Sequence, residues 1–296
     1  RSYIDSGDNA EAIIELRNGA KKAPENSEIR YELGKLMLAT GDFLSAEKEL
    51  LRAQSLGVKT ATIQPLVVDA LFKQGRNDDV IAEAAALANG LSPFKQAYIL
   101  AIAAKSQVLL DRPNEAKNLI DQALTLDPEQ VDAMVAQAMV FVKADEHVRG
   151  MEWLTKARKI DDTAPQVWAL IGDIDVLNGD PDSAFNSYTR AINLRPYITL
   201  TSTKRLRAAL AANMLDDAKK DLQRLENSGL NNYWYVKHLA ALLSFQQDDF
   251  QAAANGFDEV LTTAPDFVEA LIYGAASHTY LGSYEQAQVL VSRLAT

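Results

Sequence analysis

Residues 164–196 read APQVWALIGDIDVLNGDPDSAFNSYTRAINLRP, and the run resolves into two helices around a tight break. Trp168, Ile171, Gly172 and Val176 fall at helical spacing and form one apolar face. Gly179 and Asp180 interrupt the pattern, and Pro181 is suited to open the next helix, where its missing N–H goes unneeded. Ala184, Tyr188 and Ala191 make a second apolar face, which Pro196 stops. The lack of bulk at Gly172 and Ala184 predicts that two helix backbones cross closely there.

The run is one copy among many. A small residue recurs at Ala12, Ala46, Val80, Ala116, Gly150, Ala184, Ala218, Ala253 and Ala287, at intervals of 34 to 36. Five residues ahead of each stands Gly7, Gly41, Gly75, Asp111, Asp145, Gly179, Asn213, Asp248 or Gly282. Glycine, asparagine and aspartate tolerate a left-handed backbone, so one helix ends at each marker and another begins soon after. Such a period means a solenoid of helical hairpins.

The 164–196 run resembles the tetratricopeptide repeat (TPR), whose pattern is W-x2-L-G-x2-Y, A-x3-F-x2-A and P. Other copies keep part of it: Leu33, Gly34, Met37, Ala46, Leu50 and Ala53, or Trp234, Ala253, Phe257, Val260 and Pro265. The expectation is an all-α superhelical solenoid of stacked antiparallel helix pairs, one array over 1–296. It divides into a partial repeat 1–26 and repeats at about 27–60, 61–96, 97–130, 131–164, 165–198, 199–233, 234–267 and 268–296. Both ends read as cut from a longer array.

Composition fits. The chain is 48% hydrophobic, with 14 Gly and 9 Pro, and no run approaches the roughly 18 apolar residues of a membrane span. Its net charge of −10 argues against nucleic acid, which needs a basic face. With no cysteine, disulfides, thiolate zinc sites and cysteine nucleophiles are excluded, and an oxidising envelope compartment is mildly favoured.

The search for chemistry returns little. His147, His238 and His278 sit in different repeats without metal-ligand spacing, so isolated imidazoles are expected. Asp173, Asp175, Asp180 and Asp182 straddle a helix end and read as capping or solvated acids rather than a calcium loop. No phosphate-cradling loop or nucleophile elbow occurs. Neither catalytic residues nor a cofactor or metal ion is expected.

Function then falls to the groove that first helices line in such stacks. Its expected contacts are Tyr31, Lys35, Asp69, Phe72, Tyr98, Lys105, Met139, Asp173, Arg207, Tyr235, His238, Phe245 and Tyr280. Aromatic and methionine side chains among mixed charge are what recognition surfaces present, although aromatics here can also pack between hairpins. The carboxylate clamp of co-chaperone repeats is not assembled, since the corresponding pairs read Tyr31 with Lys35, Pro65 with Asp69 and Ala101 with Lys105. Nor is there the asparagine ladder of sugar-transferring nuclear enzymes, whose places hold Glu32, Leu66, Ile102, Ala136, Leu170 and Lys204.

A further resemblance spans the chain. SGDNAEAIIELRNGAKKAPENSEIRYELGKLMLATGDFLSAEKELLRAQSLGV, LVVDALFKQGR, YVKHLAALLSFQQDDFQAAANGFDEVL and APDFVEALIYGAASHTYLGSYEQAQVLVSRL are similar to stretches of the PEP-CTERM-system TPR lipoproteins. That resemblance implies a cleaved lipoprotein signal ahead of Arg1, a periplasmic, membrane-anchored array, and a link to exosortase-type sorting and exopolysaccharide production. The expected function is a non-enzymatic protein-interaction scaffold of a bacterial envelope assembly. The alternatives are direct polysaccharide binding through the aromatics, an intracellular adaptor, and the repeat region of a larger enzyme. Two breaks in the period, near 87–93 and 228–232, predict longer inter-repeat turns, to be read as hinges or as tolerated insertions.

Overall fold

In the computed structural model, which describes residues 9–195 and 199–294, the marker series does what its composition demands. Asp111, Asp145, Asn213 and Asp248 adopt φ of 61, 61, 56 and 62°, and Gly41, Gly75, Gly179 and Gly282 are also left-handed. Gly7 and Pro196 lie outside the described residues. The companion series is buried throughout, from Ala12 and Ala46 to Ala253 and Ala287.

Helices therefore alternate with these turns. After α1 (Asn9–Lys22) come α2 (Ser27–Thr40) with α3 (Phe43–Ser55), then α4 (Thr60–Lys73) with α5 (Asn77–Ala85). Next are α6 (Pro93–Leu109) with α7 (Pro113–Leu126), and α8 (Val131–Lys143) with α9 (His147–Ile160). Then follow α10 (Pro165–Leu177) with α11 (Pro181–Leu194), and α12 (Thr199–Ala211) with α13 (Leu215–Leu225). Last are α14 (Trp234–Gln246) with α15 (Phe250–Thr263), and α16 (Val268–Tyr280) with α17 (Tyr284–Arg293). No strand occurs among the described residues.

The chain packs as two compact units, Arg1–Leu170 and Ile171–Thr296. Each is a stack of antiparallel helix pairs, the all-α repeat solenoid that the period predicts. A single hairpin cannot bury its apolar face, so each core runs from one hairpin into the next. In the first unit Leu50, Ile63, Val67, Val80, Ile99 and Ile102 join side chains of α3, α4, α5 and α6. In the second, Leu206, Leu210, Leu239, Phe257 and Leu271 do the same from α12 to α16.

Several helices open on a polar side-chain cap, among them those capped by Asn26, Asp42 and Asp249. Asp180 accepts from the Ser183 N–H at 3.0 Å at the start of α11, and this bond holds its carboxyl below the ordinary value. Gly172 is small for a different reason from the one expected. A Cβ there would lie 2.6 Å from Cε1 of Tyr188, so the gap admits an aromatic ring of α11 rather than the helix backbone itself.

The break near 87–93 has two consequences. Helix α5 stops at Ala85, and α6 begins at Pro93 instead of 97, with the Ser92 side chain accepting from the Lys95 N–H at 3.4 Å. The residues between are pinned from below by Gln64 of α4, which is only 4% exposed. Its Nε2 donates to the Glu83 and Ala86 carbonyls at 3.1 and 2.9 Å, and its Oε1 accepts from the Ala88 N–H at 2.8 Å. The insertion is thus an anchored turn, satisfied by a side chain where no helical bond is available. Gln64→Leu is expected to remove about 1–3 kcal/mol from the first unit by stranding these backbone groups. Urea unfolding reads the loss, and hydrogen exchange should rise at residues 86–92. An unchanged midpoint would assign the turn's order to other contacts.

The second break is a wide turn at Glu226–Leu230, with Gly229 at φ 81°.

Candidate functional site

In the first unit the N-terminal ends of successive first helices leave a cleft of ≈ 490 Å³. Pro65 of α4, Phe94, Lys95 and Tyr98 of α6, Val131 and Asp132 of α8, and Gln166 of α10 line it. Glu129 and Gln130 before α8, and Ile160 and Asp161 at the end of α9, complete it. The geometry follows from the repeat: first helices stack side by side, and their leading turns open where the preceding hairpin ends.

Part of the cleft's apolar surface is open to solvent. Phe94 is 64% exposed and Ile160 40%. Pro93 and the Ser92 cap set the phase of α6, and with it the placement of Phe94 and Tyr98. Deeper in, Asp132 is met by Lys105 Nζ at 2.7 Å and by Gln166 Nε2 at 3.3 Å. Lys105 also lies 5.0 Å from the Phe72 ring centroid, so the pair is held by an aromatic wall.

The expected groove residues divide by their surroundings. Tyr98 lines the cleft, and Tyr31 is half-buried beneath Lys35, whose ammonium also pairs with Glu32 at 3.1 Å. Lys105, at 6% exposure, is a buried wall element with no free ammonium to offer. Phe72, Asp69 and Met139 are half-buried, Phe72 against the core of its unit.

In the second unit Asp173 receives Lys204 Nζ and the Tyr188 hydroxyl, both at 2.7 Å. Burial first, and then the charge of Asp173, push the Tyr188 pKa up, so the hydroxyl stays protonated and donates. Burial likewise raises the Asp175 carboxyl, against the opposing effect of the Ser187 hydroxyl donated to it. Arg207 donates to the Tyr235 hydroxyl at 2.8 Å and pairs with Glu269 at 3.2 Å. Phe245 packs edge-on to Tyr273, and Tyr280, though 67% exposed, stacks on Phe250 at 4.2 Å.

His238 is fully buried, contrary to a groove role. Its ring lies between Tyr235, Phe257 and Phe267, with Nε2 3.2 Å from a Glu269 oxygen but out of line for a hydrogen bond. Desolvation outweighs Glu269 and lowers its pKa below 6.5. The neutral ring is therefore the folded form, and the unfolded chain binds the extra proton. Stability should fall as pH drops below about 6.5 and be retained above it. Urea midpoints at about pH 7.5 and about pH 5 should separate in native protein and converge in His238→Leu. An equal separation in that variant would assign the effect to other groups.

His147 and His278 each lie beside one carboxylate, Asp145 at 3.2 Å and Asp258 at 3.1 Å. Among the described residues no group of three or more possible ligands could hold a metal ion.

Sequence reasoning missed Phe94, Glu129 and Ile160. The available signal was Ser92-Pro93, a cap followed by a helix-opening proline, which places the start of α6 ahead of the period's own register.

Comparison with known proteins bears on what this arrangement is. Two family profiles, both described as tetratricopeptide repeat, match residues 3–67 and 103–165. The chain carries tetratricopeptide repeats. Among solved structures, the TPR stack is similar to that in the APC/C hetero-tetramer Cut9-Hcn1. The TM-score is 0.74 at 13% identity, over 99% of this chain and 56% of that one. It is also similar to PilW, a widely conserved type IV pilus biogenesis factor, with a TM-score of 0.58 at 15% identity. That match covers 67% of this chain and 91% of PilW. At these identities the likeness is one of fold. A curated relative, the mitochondrial import receptor subunit TOM70 of Homo sapiens, is 22% identical over 177 residues. The match covers 58% of this chain and only 29% of that receptor subunit. No catalytic family is indicated, and TPR arrays are in general scaffolds for binding other proteins. Among the described residues no helix is long and apolar enough to cross a membrane.

Proposed function

We propose that this TPR array is a non-enzymatic scaffold that receives a segment of a partner protein in the cleft of its first unit. The observation that carries the reading is the exposure of Phe94, at the start of the first helix α6, and of Ile160, at the end of the second helix α9, in one cleft whose neighbouring side chains are held in place. A preformed cleft of this kind binds without the cost of ordering itself.

The setting we propose is a bacterial envelope assembly, with the array in the periplasm as part of a lipoprotein and linked to exopolysaccharide export or PEP-CTERM sorting. What supports it is the resemblance of the irregular segments to that system's TPR lipoproteins, together with the absence of cysteine. Direct polysaccharide binding is the second reading, favoured by Tyr280 stacked on Phe250 and by the exposed Tyr284.

The test is retention from a detergent-solubilised envelope extract on native protein, Phe94→Glu and Tyr280→Ala. A protein retained by native and Tyr280→Ala but lost from Phe94→Glu supports the cleft reading. Polysaccharide lost only from Tyr280→Ala would replace it with the second.

A further inference from the structure

The charges around the cleft specify what kind of segment it suits. Three carboxylates, Glu129, Asp132 and Asp161, line it against a single ammonium, Lys95. Lys95 is engaged by the Ala61 carbonyl at 3.2 Å, and Asp132 is offset by Lys105. Asp161 accepts from the Thr163 N–H at 2.8 Å and its hydroxyl at 2.6 Å, bonds that leave its negative charge in place. Glu129 is exposed on the turn before α8. Lys95 likewise keeps its charge, so three carboxylates stand against the two ammoniums of Lys95 and Lys105, and the acidic excess, carried by Glu129 and Asp161, shares one cleft with the apolar surface of Phe94 and Ile160.

We infer that the cleft takes an extended basic segment, one large apolar side chain flanked by lysine or arginine. This rests on the reading of the cleft as a partner site. The apolar side chain covers Phe94, Ile160 and Val131, where displacing water gives affinity. Cations beside it meet Glu129 and Asp161 at the rim, where neither partner is fully desolvated. An acidic segment would meet like charge there, and the protein's net charge of −10 disfavours its approach.

Fluorescence anisotropy with labelled peptides tests this. The probes are a short peptide with tryptophan flanked by arginines, the same peptide with glutamates for arginines, and one with glycine for tryptophan. The arginine–tryptophan probe should bind about tenfold more tightly than either alternative, and progressively less tightly as salt is raised. Phe94→Ala should weaken it several-fold, and Glu129→Gln with Asp161→Asn should abolish the preference for arginine. Phe94 and Glu129 are exposed and Asp161 is half-buried, and circular dichroism checks the fold. Equal or tighter binding of the glutamate probe overturns the inference, as does an arginine preference that survives neutralisation of both acids. If charge makes no difference yet Phe94→Ala weakens every tryptophan probe, the inference fails and the cleft reading stands. If Phe94→Ala changes nothing, the cleft reading itself fails.

Discussion

Asp221→Ala is expected to cost the second unit about 3–5 kcal/mol, more than any surface substitution in the chain. Arg205 of α12 reaches across to Asp221 of α13 with Nε at 2.8 Å from Oδ2, while Nη2 donates to Oδ1. Their side chains are only 8% and 4% exposed. Phe185, 5.6 Å from the guanidinium, closes one side. Removing the carboxylate strands a guanidinium that cannot shed its proton, and Thr189 at 3.4 Å supplies only a neutral acceptor. Restoring apolar complementarity with Arg205→Met and Asp221→Leu together should recover most of the loss. Urea unfolding gives the magnitude, and hydrogen exchange should localise it to α12 and α13. A loss below about 1 kcal/mol would mean that the pair is hydrated and behaves as a surface bridge.

Tyr188→Ala should cost about 3–5 kcal/mol, since the ring is 2% exposed and fills the space over Gly172. The reciprocal change, Gly172→Ala, puts a methyl group 2.6 to 2.9 Å from three ring atoms and should cost about 1–3 kcal/mol. Because the two residues share one space, the double variant should lose clearly less than the sum of the single losses. Additive losses would show that the ring yields freely and that Gly172 has another purpose. Tyr188→Phe separates the hydroxyl from the ring, and loss of its bond to Asp173 should cost about 1 kcal/mol.

Most of the fold was legible because a repeat states its rules many times. Gly, Asn and Asp at the marker positions predicted left-handed turns, and all eight described members have positive φ. Buried Ala46, Ala116 and Ala184 likewise follow from their period. What the period could not show was a departure from its own register. The early start of α6 at Pro93 brings Phe94 into the cleft, whereas the period starts that repeat at about 97.

Side-chain pairing across helices was also hidden. Lys105 reads as a groove cation in the sequence, but Asp132, 27 residues away, neutralises it. His238 reads as a groove imidazole, but Phe257 from the second helix of its own hairpin and Phe267 from the start of the next enclose it. Periodicity assigns a residue to a helix face. The partner that decides whether the side chain is available comes from another helix.

Site-specific photo-crosslinking in intact cells is the most direct test of the cleft as a partner site. A photoreactive phenylalanine analogue would replace Phe94 in one strain and Leu44 in another. Leu44 is similarly exposed, at 71%, but lies on the second helix α3 outside the cleft. A discrete protein adduct from position 94 and none from position 44 is the expected result. Adducts of the same kind and yield from both positions, or none from position 94, would contradict it.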